Sequence, residues 1–237
     1  MIIRKLSDYK ESKVLFSNTG VSYYILKNIP FDRENSTMYV ISGGAMGIPL
    51  LLYKDPEELL LRIQKVVKKI SLLTLTSNPY SNMSFFTRKA LEEILPEDAH
   101  IILGDRIHIG MTHFPTFKKH SVQGPFNTKA DLIEALQVSS FIPIFFMRGY
   151  YKNYKNYIDG AFSHNVPSDD MSQTVSVNPS SNEGIADVYY NLNKTRHLKL
   201  MNYDQYMAVF WLGVEMANRN HNKIVNKLKM SGMYRGN

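Results

Sequence analysis

Gly43-Gly44-Ala45-Met46-Gly47 has the spacing of a nucleophile elbow. That motif, Gly-x-Ser-x-Gly, holds a serine on a sharp strand-to-helix turn, and its glycines leave the crowded backbone room to bend. Gly43 and Gly47 are the outer glycines in this reading, and Ala45 stands where the serine belongs. The neighbours fit: Tyr39-Val40-Ile41 reads as a buried strand, and Ile48-Pro49 restarts the chain as a helix with proline in its first turn. A second stretch, Asn18-Thr19-Gly20-Val21, reads as a small-residue turn between a strand (Lys13 to Ser17) and a helix. Its backbone N–H groups could point at an anion, or it could be an ordinary connection. A third, Asp159-Gly160, ends the apolar run Tyr157-Ile158; alone, Asp-Gly signals a turn.

The elements that must position these residues alternate along the chain. Asp55-Pro56-Glu57-Glu58 opens a helix, with Leu59, Leu60, Ile63, Val66, Val67 and Ile70 on one face and Arg62, Lys65, Lys68 and Lys69 elsewhere. Thr87 to Leu95 forms another helix. His100–Leu103 and Arg106–Thr112 read as a hairpin about Gly104-Asp105, and Phe114 to Phe126 as a loop. Thr128 caps a helix with Asp131 in capping-box position. The tyrosine- and lysine-bearing segment from Gly149 to Tyr157 reads as a hairpin, and Thr174 to Val177 as a strand. Tyr203 to Leu228 forms one long helix, and Lys223 to Arg235 a basic, solvated tail. Helices alternating with strands indicate an α/β fold with a largely parallel sheet.

The chain has 237 residues, enough for one large core, and nothing suggests a second domain. It contains no cysteine, which excludes disulfides and thiol chemistry. No window is apolar for long enough to suggest a transmembrane helix. The N-terminus turns polar too early for a signal peptide, so a cytoplasmic protein, peripheral at membranes, is expected. A net charge of +7 favours anionic surfaces. Lys65, Lys68, Lys69, Lys118 and Lys119 are the candidates for such contact; they also read as solvated faces.

Five segments in order resemble the patatin-like phospholipases, in particular their animal branch. They are the elbow, Asp105 to Thr112, the helix from Thr128 that ends in Ser140-Phe-Ile-Pro143, Tyr157-Ile-Asp-Gly-Ala-Phe162 with Asn165-Val-Pro167, and Thr174 to Ser180. The resemblance covers about residues 14–185, leaving a helical extension over about 200–237. It implies a single-domain, three-layer α/β fold and an acyl hydrolase of the lipase or phospholipase A type, acting on phospholipid or glycerolipid at a membrane or lipid-droplet surface. It also implies a Ser–Asp dyad without metal or cofactor, with position 45 as nucleophile, Asp159 as base and the 18–21 turn as oxyanion hole. His108, His113 and His164 then need no catalytic role. The sequence departs from the family's Gly-x-Gly-x-x-Gly loop, keeping only Gly20, and from the serine. With alanine at position 45 the expectation is an inactive chain: either a silenced form of an active parent, or a natural lipid- or protein-binding pseudoenzyme. Nucleic acid is not expected as a partner.

Overall fold

A computed structural model describes residues 11–76, 83–141, 153–163, 177–178, 188–189 and 202–236. In chain order the elements before the sheet's main hairpin are α1 (Glu11–Asn28), β1 (Met38–Ile41), a short 3-10 helix (Ser42–Gly47), α2 (Pro49–Leu52), α3 (Pro56–Thr76), α4 (Met83–Ile94) and α5 (Ala99–Leu103). Then follow β2 (Ile107–His113), β3 (Lys118–Gln123), α6 (Lys129–Ser139), β4 (Tyr157–Asp159), a second short 3-10 helix (Gly160–Phe162), β5 (Val177–Asn178), β6 (Val188–Tyr189), α7 (Tyr203–Arg219) and α8 (His221–Met230). The fold is α/β.

β2 organises the main sheet. β3 runs antiparallel along one of its edges, from His108 opposite Gln123 to His113 opposite Lys118. The other edge is shared by two strands placed end to end. β1 lies parallel to the first half of β2 and stops with Ile41 opposite Gly110. β4 runs antiparallel along the second half and stops with Asp159 opposite Met111. The two strands therefore advance on one another and meet where Ser42 follows Ile41 and Gly160 follows Asp159. The sheet is mixed rather than largely parallel. Among the described residues parallel pairing is confined to β1–β2 and the small β5–β6 pair, because the short 114–117 connection returns the chain antiparallel.

Local sequence explains most elements. The apolar face of α3 is buried at Leu59, Ile63, Val66, Val67 and Ile70, packed with Leu91, Ile94 and Leu95 from α4 and the turn after it. Thr128 caps α6, its side chain accepting from the Asp131 N–H. Several expectations about local structure fail. Residues 99–103 are a helical turn, capped by Gly104 at positive φ, not a strand. The segment read as a loop after Phe114 contains β3, in which half-buried His120 and Val122 alternate with exposed Lys119, Ser121 and Gln123, as suits an edge strand. The strand and turn expected over 13–21 are part of one continuous helix, α1.

Gly20 explains that helix. α1 crosses α7 there so closely that a Cβ on Gly20 would stand 2.0 Å from the Phe210 carbonyl oxygen. Tyr206 and Phe210 of α7 enter the same core as Val40, Met46 and Leu59, so the C-terminal helices belong to the main body. The basic tail is docked as well. The helix breaks at Asn220, α8 buries Ile224 and Leu228, and Arg235 pairs with Asp32 at 2.7 Å. Of the remaining expected segments, 149–152 and 174–176 lie outside the described residues. Among the described residues, no helix is long and apolar enough to cross a membrane.

Candidate active site

Ser42 is the first residue past β1, and its φ of +52° is a left-handed conformation that non-glycine residues seldom hold. Its hydroxyl donates to Asp159 Oδ2 at 2.7 Å. Its N–H donates to Ser139 Oγ at 3.0 Å, and Ser139 in turn donates to the Gly110 carbonyl at 2.7 Å. The end of α6 is thereby stitched to both the turn and the sheet. Ser42 is partly exposed, whereas Asp159 is completely buried. Asp159 Oδ1 accepts the Ala161 N–H at 2.7 Å, and the Asp159 N–H donates to the Phe141 carbonyl.

Burial pushes the Asp159 carboxyl up to about 6, against the ordinary 3.8; the Ser42 hydroxyl and the Ala161 N–H pull in the opposite direction. Gly160 lets β4 come this near. A Cβ there would meet the Gly110 carbonyl oxygen at 2.4 Å. The Asp-Gly pair is therefore a close approach between strands, with an acid held at its tip.

Ala45 is not in this position. It lies three residues further on, inside the 3-10 helix, 2% exposed and packed into the core. The residue of the turn that meets Asp159 is Ser42. A Cβ on Gly44 would meet the Val40 Cβ at 3.9 Å, an ordinary contact. Gly43 is buried behind Ser42, and Gly47 comes after the turn, where its carbonyl accepts from Ser22 Oγ at 3.0 Å.

The expected oxyanion loop is also displaced. Asn18, Thr19, Gly20 and Val21 lie within α1, where backbone N–H groups are spent on the helix's own carbonyls. Their side chains brace the elbow instead: Asn18 Nδ2 donates to the Gly43 carbonyl at 2.9 Å and Thr19 Oγ1 to that of Met46 at 3.2 Å. The N–H groups at the start of the 3-10 helix precede its first internal acceptor. That of Ser42 goes to Ser139, which leaves the Gly43 N–H as the donor nearest in sequence to the Ser42 hydroxyl.

The remaining candidates are scattered. Lys65 and Lys69 on α3 both reach Glu93 on α4, and Lys68 is exposed on the same helix. Lys118 and Lys119 are exposed on β3. His108 stacks on Tyr39 and His113 packs edge-on against Tyr157; His164 lies outside the described residues. Among the described residues no cluster of His, Asp and Glu is placed to hold a metal ion. Ser42 was legible as the only hydroxyl in the turn immediately after the strand, and Ser139 as the serine before Ser140-x-x-Pro.

A serine on a strand-to-helix turn, paired with a buried aspartate, is an arrangement of serine-type acyl hydrolases. The model of the patatin-like phospholipase family matches residues 42–171, and the chain belongs to that family. It is 28% identical over 175 residues to a mouse protein named 1-acylglycerol-3-phosphate O-acyltransferase Pnpla3, covering 69% of this chain and 40% of that one. It is 32% identical over 117 residues to human patatin-like phospholipase domain-containing protein 4, covering 45% and 46%. To mouse omega-hydroxyceramide transacylase it is 28% identical over 148 residues, covering 60% and 24%. The chain thus spans less than half the length of each of these relatives. No solved structure matches it.

Proposed function

We propose that this chain is an acyl hydrolase of phospholipid or glycerolipid esters in which Ser42 is the nucleophile and Asp159 the general base. The reading rests on one observation: the Ser42 hydroxyl, on a turn at φ +52°, lies 2.7 Å from the buried Asp159 carboxylate. The chain therefore carries an intact dyad, and the alanine at position 45 does not silence it.

In the first half-reaction the Ser42 oxygen attacks the ester carbonyl carbon while its proton passes to Asp159 Oδ2. The carbonyl oxygen becomes an oxyanion facing the Gly43 N–H at the start of the 3-10 helix, an interaction of the kind worth about 3 kcal/mol per donor. The tetrahedral intermediate collapses, the alcohol departs with the proton held by Asp159, and the acyl group remains on Ser42. In the second, Asp159 takes a proton from water, the resulting hydroxide attacks the acyl carbon, and fatty acid leaves as Ser42 recovers its proton.

An alcohol can replace water in that second step. Two of the relatives are named for acyl transfer, which favours this as a second reading, differing only in the acceptor. The test is turnover of a short-chain ester and of mixed phospholipid vesicles by the wild-type chain, Ser42→Ala and Ala45→Ser, with and without added monoacylglycerol. Wild type should release fatty acid, Ser42→Ala should lose at least about a thousandfold, and Ala45→Ser should gain nothing. Activity that survives Ser42→Ala refutes the assignment. New ester in the presence of the alcohol identifies a transferase.

A further inference from the structure

The connection between β2 and β3 has a composition that folding alone does not require. Phe114 and Phe117 stand at its tip, 49% and 52% exposed, with their rings edge to face at 5.8 Å. Phe117 holds a φ of +53°. A large side chain is a poor choice for that conformation, for which glycine or asparagine is the low-strain residue. The position is strained and its apolar ring faces water, so neither the turn nor the core accounts for the phenylalanine. Lys118 and Lys119 follow at once, both exposed.

The location gives these features a direction. β2 carries Met111 opposite Asp159 and then runs on through Thr112 and His113 to the tip. At about 3.3 Å per residue, Phe114 stands roughly 10 Å beyond the dyad, at the same end of the sheet. Phe162, on the short helix that follows Asp159, is also 47% exposed. Open α/β sheets take ligands at the carboxyl ends of their parallel strands, and here that is the end on which Phe114 and Phe117 stand.

We propose that the 114–119 hairpin is an interfacial anchor: Phe114 and Phe117 insert among the acyl chains of an anionic lipid surface, Lys118 and Lys119 contact its headgroups, and the Ser42 end of the sheet is thereby held against the layer from which a lipid substrate would be drawn. The inference rests on the lipid-ester reading for the identity of the surface. Charge complementarity selects an acidic surface, in keeping with a chain of net charge +7. The competing explanation is that the lysines only protect an exposed edge strand from pairing with another chain, which would leave lipid binding indifferent to them.

Sedimentation with vesicles of phosphatidylcholine, with or without phosphatidylglycerol, tests this. Ser42→Ala serves as the parent so that no vesicle lipid is consumed. Adding Phe117→Gly relieves the strained position, so resistance to urea should be equal or higher, while vesicle partitioning falls about tenfold through loss of the inserted ring. Lys118→Gln with Lys119→Gln should abolish most of the preference for acidic vesicles. With Ser42 restored, all these variants should hydrolyse a soluble short-chain ester at the wild-type rate. Unchanged partitioning of the Phe117→Gly protein, or partitioning indifferent to both acidic lipid and the lysines, overturns the proposal. If the short-chain ester is never hydrolysed yet the hairpin still governs vesicle binding, the anchor stands and the reading of Ser42 fails.

Discussion

Replacing Asp159 by asparagine should change how stability depends on pH, in a direction opposite to that of most carboxylates. Asp159 is completely buried, and desolvation outweighs the Ser42 hydroxyl and the Ala161 N–H that favour its charged form, lifting its pKa from 3.8 to about 6. Between those values the folded chain holds a proton that the unfolded chain has released. Stability therefore falls as pH rises through this window. The interval of roughly two pH units corresponds to about 3 kcal/mol, at about 1.4 kcal/mol for each. The carboxyls of Asp32, Glu92 and Glu93 act in reverse, their pKa values held down by Asn35, by Lys89 and by Lys69 among other partners, and each is at most partly buried. They are unchanged in the variant and cancel in the comparison. Urea unfolding of wild type and Asp159→Asn from pH 4 to 7.5 yields the difference directly. The wild type should lose about 3 kcal/mol relative to the variant over this range and level off above about pH 6. Activity should move the other way, with kcat/KM rising to a plateau above about pH 6 as the base ionises. A stability difference that is flat with pH would refute the reasoning, since it would mean that the charged carboxylate is not desolvated.

Two further substitutions probe the frame around the dyad. Gly20→Ala drives a methyl group into the Phe210 backbone and should cost about 1–3 kcal/mol, seen as a lower urea midpoint, because the two helices must separate. Ser139→Ala removes the acceptor of the Ser42 N–H and the donor to the Gly110 carbonyl. It should cost about 1–3 kcal/mol of stability and lower kcat more than it alters KM, since it loosens the turn rather than the substrate's seat. Ser139→Thr, which keeps the hydroxyl, should recover much of the loss.

What the sequence revealed of this site depended on which features were local. The helical periodicity of Leu59 to Ile70 and the Thr128 cap were readable because each depends on neighbours a few residues away. Asp159-Gly160 was recognisable as a motif, yet its reason is long-range: Gly160 is small because β2 passes at Gly110. Which residue of the turn meets Asp159 is likewise decided at long range. Gly43 and Gly47 frame Ala45 in the expected spacing, but the end of β1 decides which residue occupies the turn, and β1 ends at Ile41 because its pairing with β2 ends at Gly110. Gly20 was seen as part of a possible anion-binding turn, whereas it is the crossing point of two helices some 190 residues apart. A glycine marks a place where something comes close; the sequence alone does not reveal what.

Covalent labelling distinguishes Ser42 from every other candidate nucleophile of the chain. The wild-type chain is incubated with a long-chain alkyl fluorophosphonate, digested, and the modified residue located by mass spectrometry. A single adduct on Ser42 is expected, absent in Ser42→Ala, greatly slowed in Asp159→Asn, and not moved to position 45 in Ala45→Ser. An adduct on another residue, or none while the protein still hydrolyses ester, would contradict Ser42 as the nucleophile.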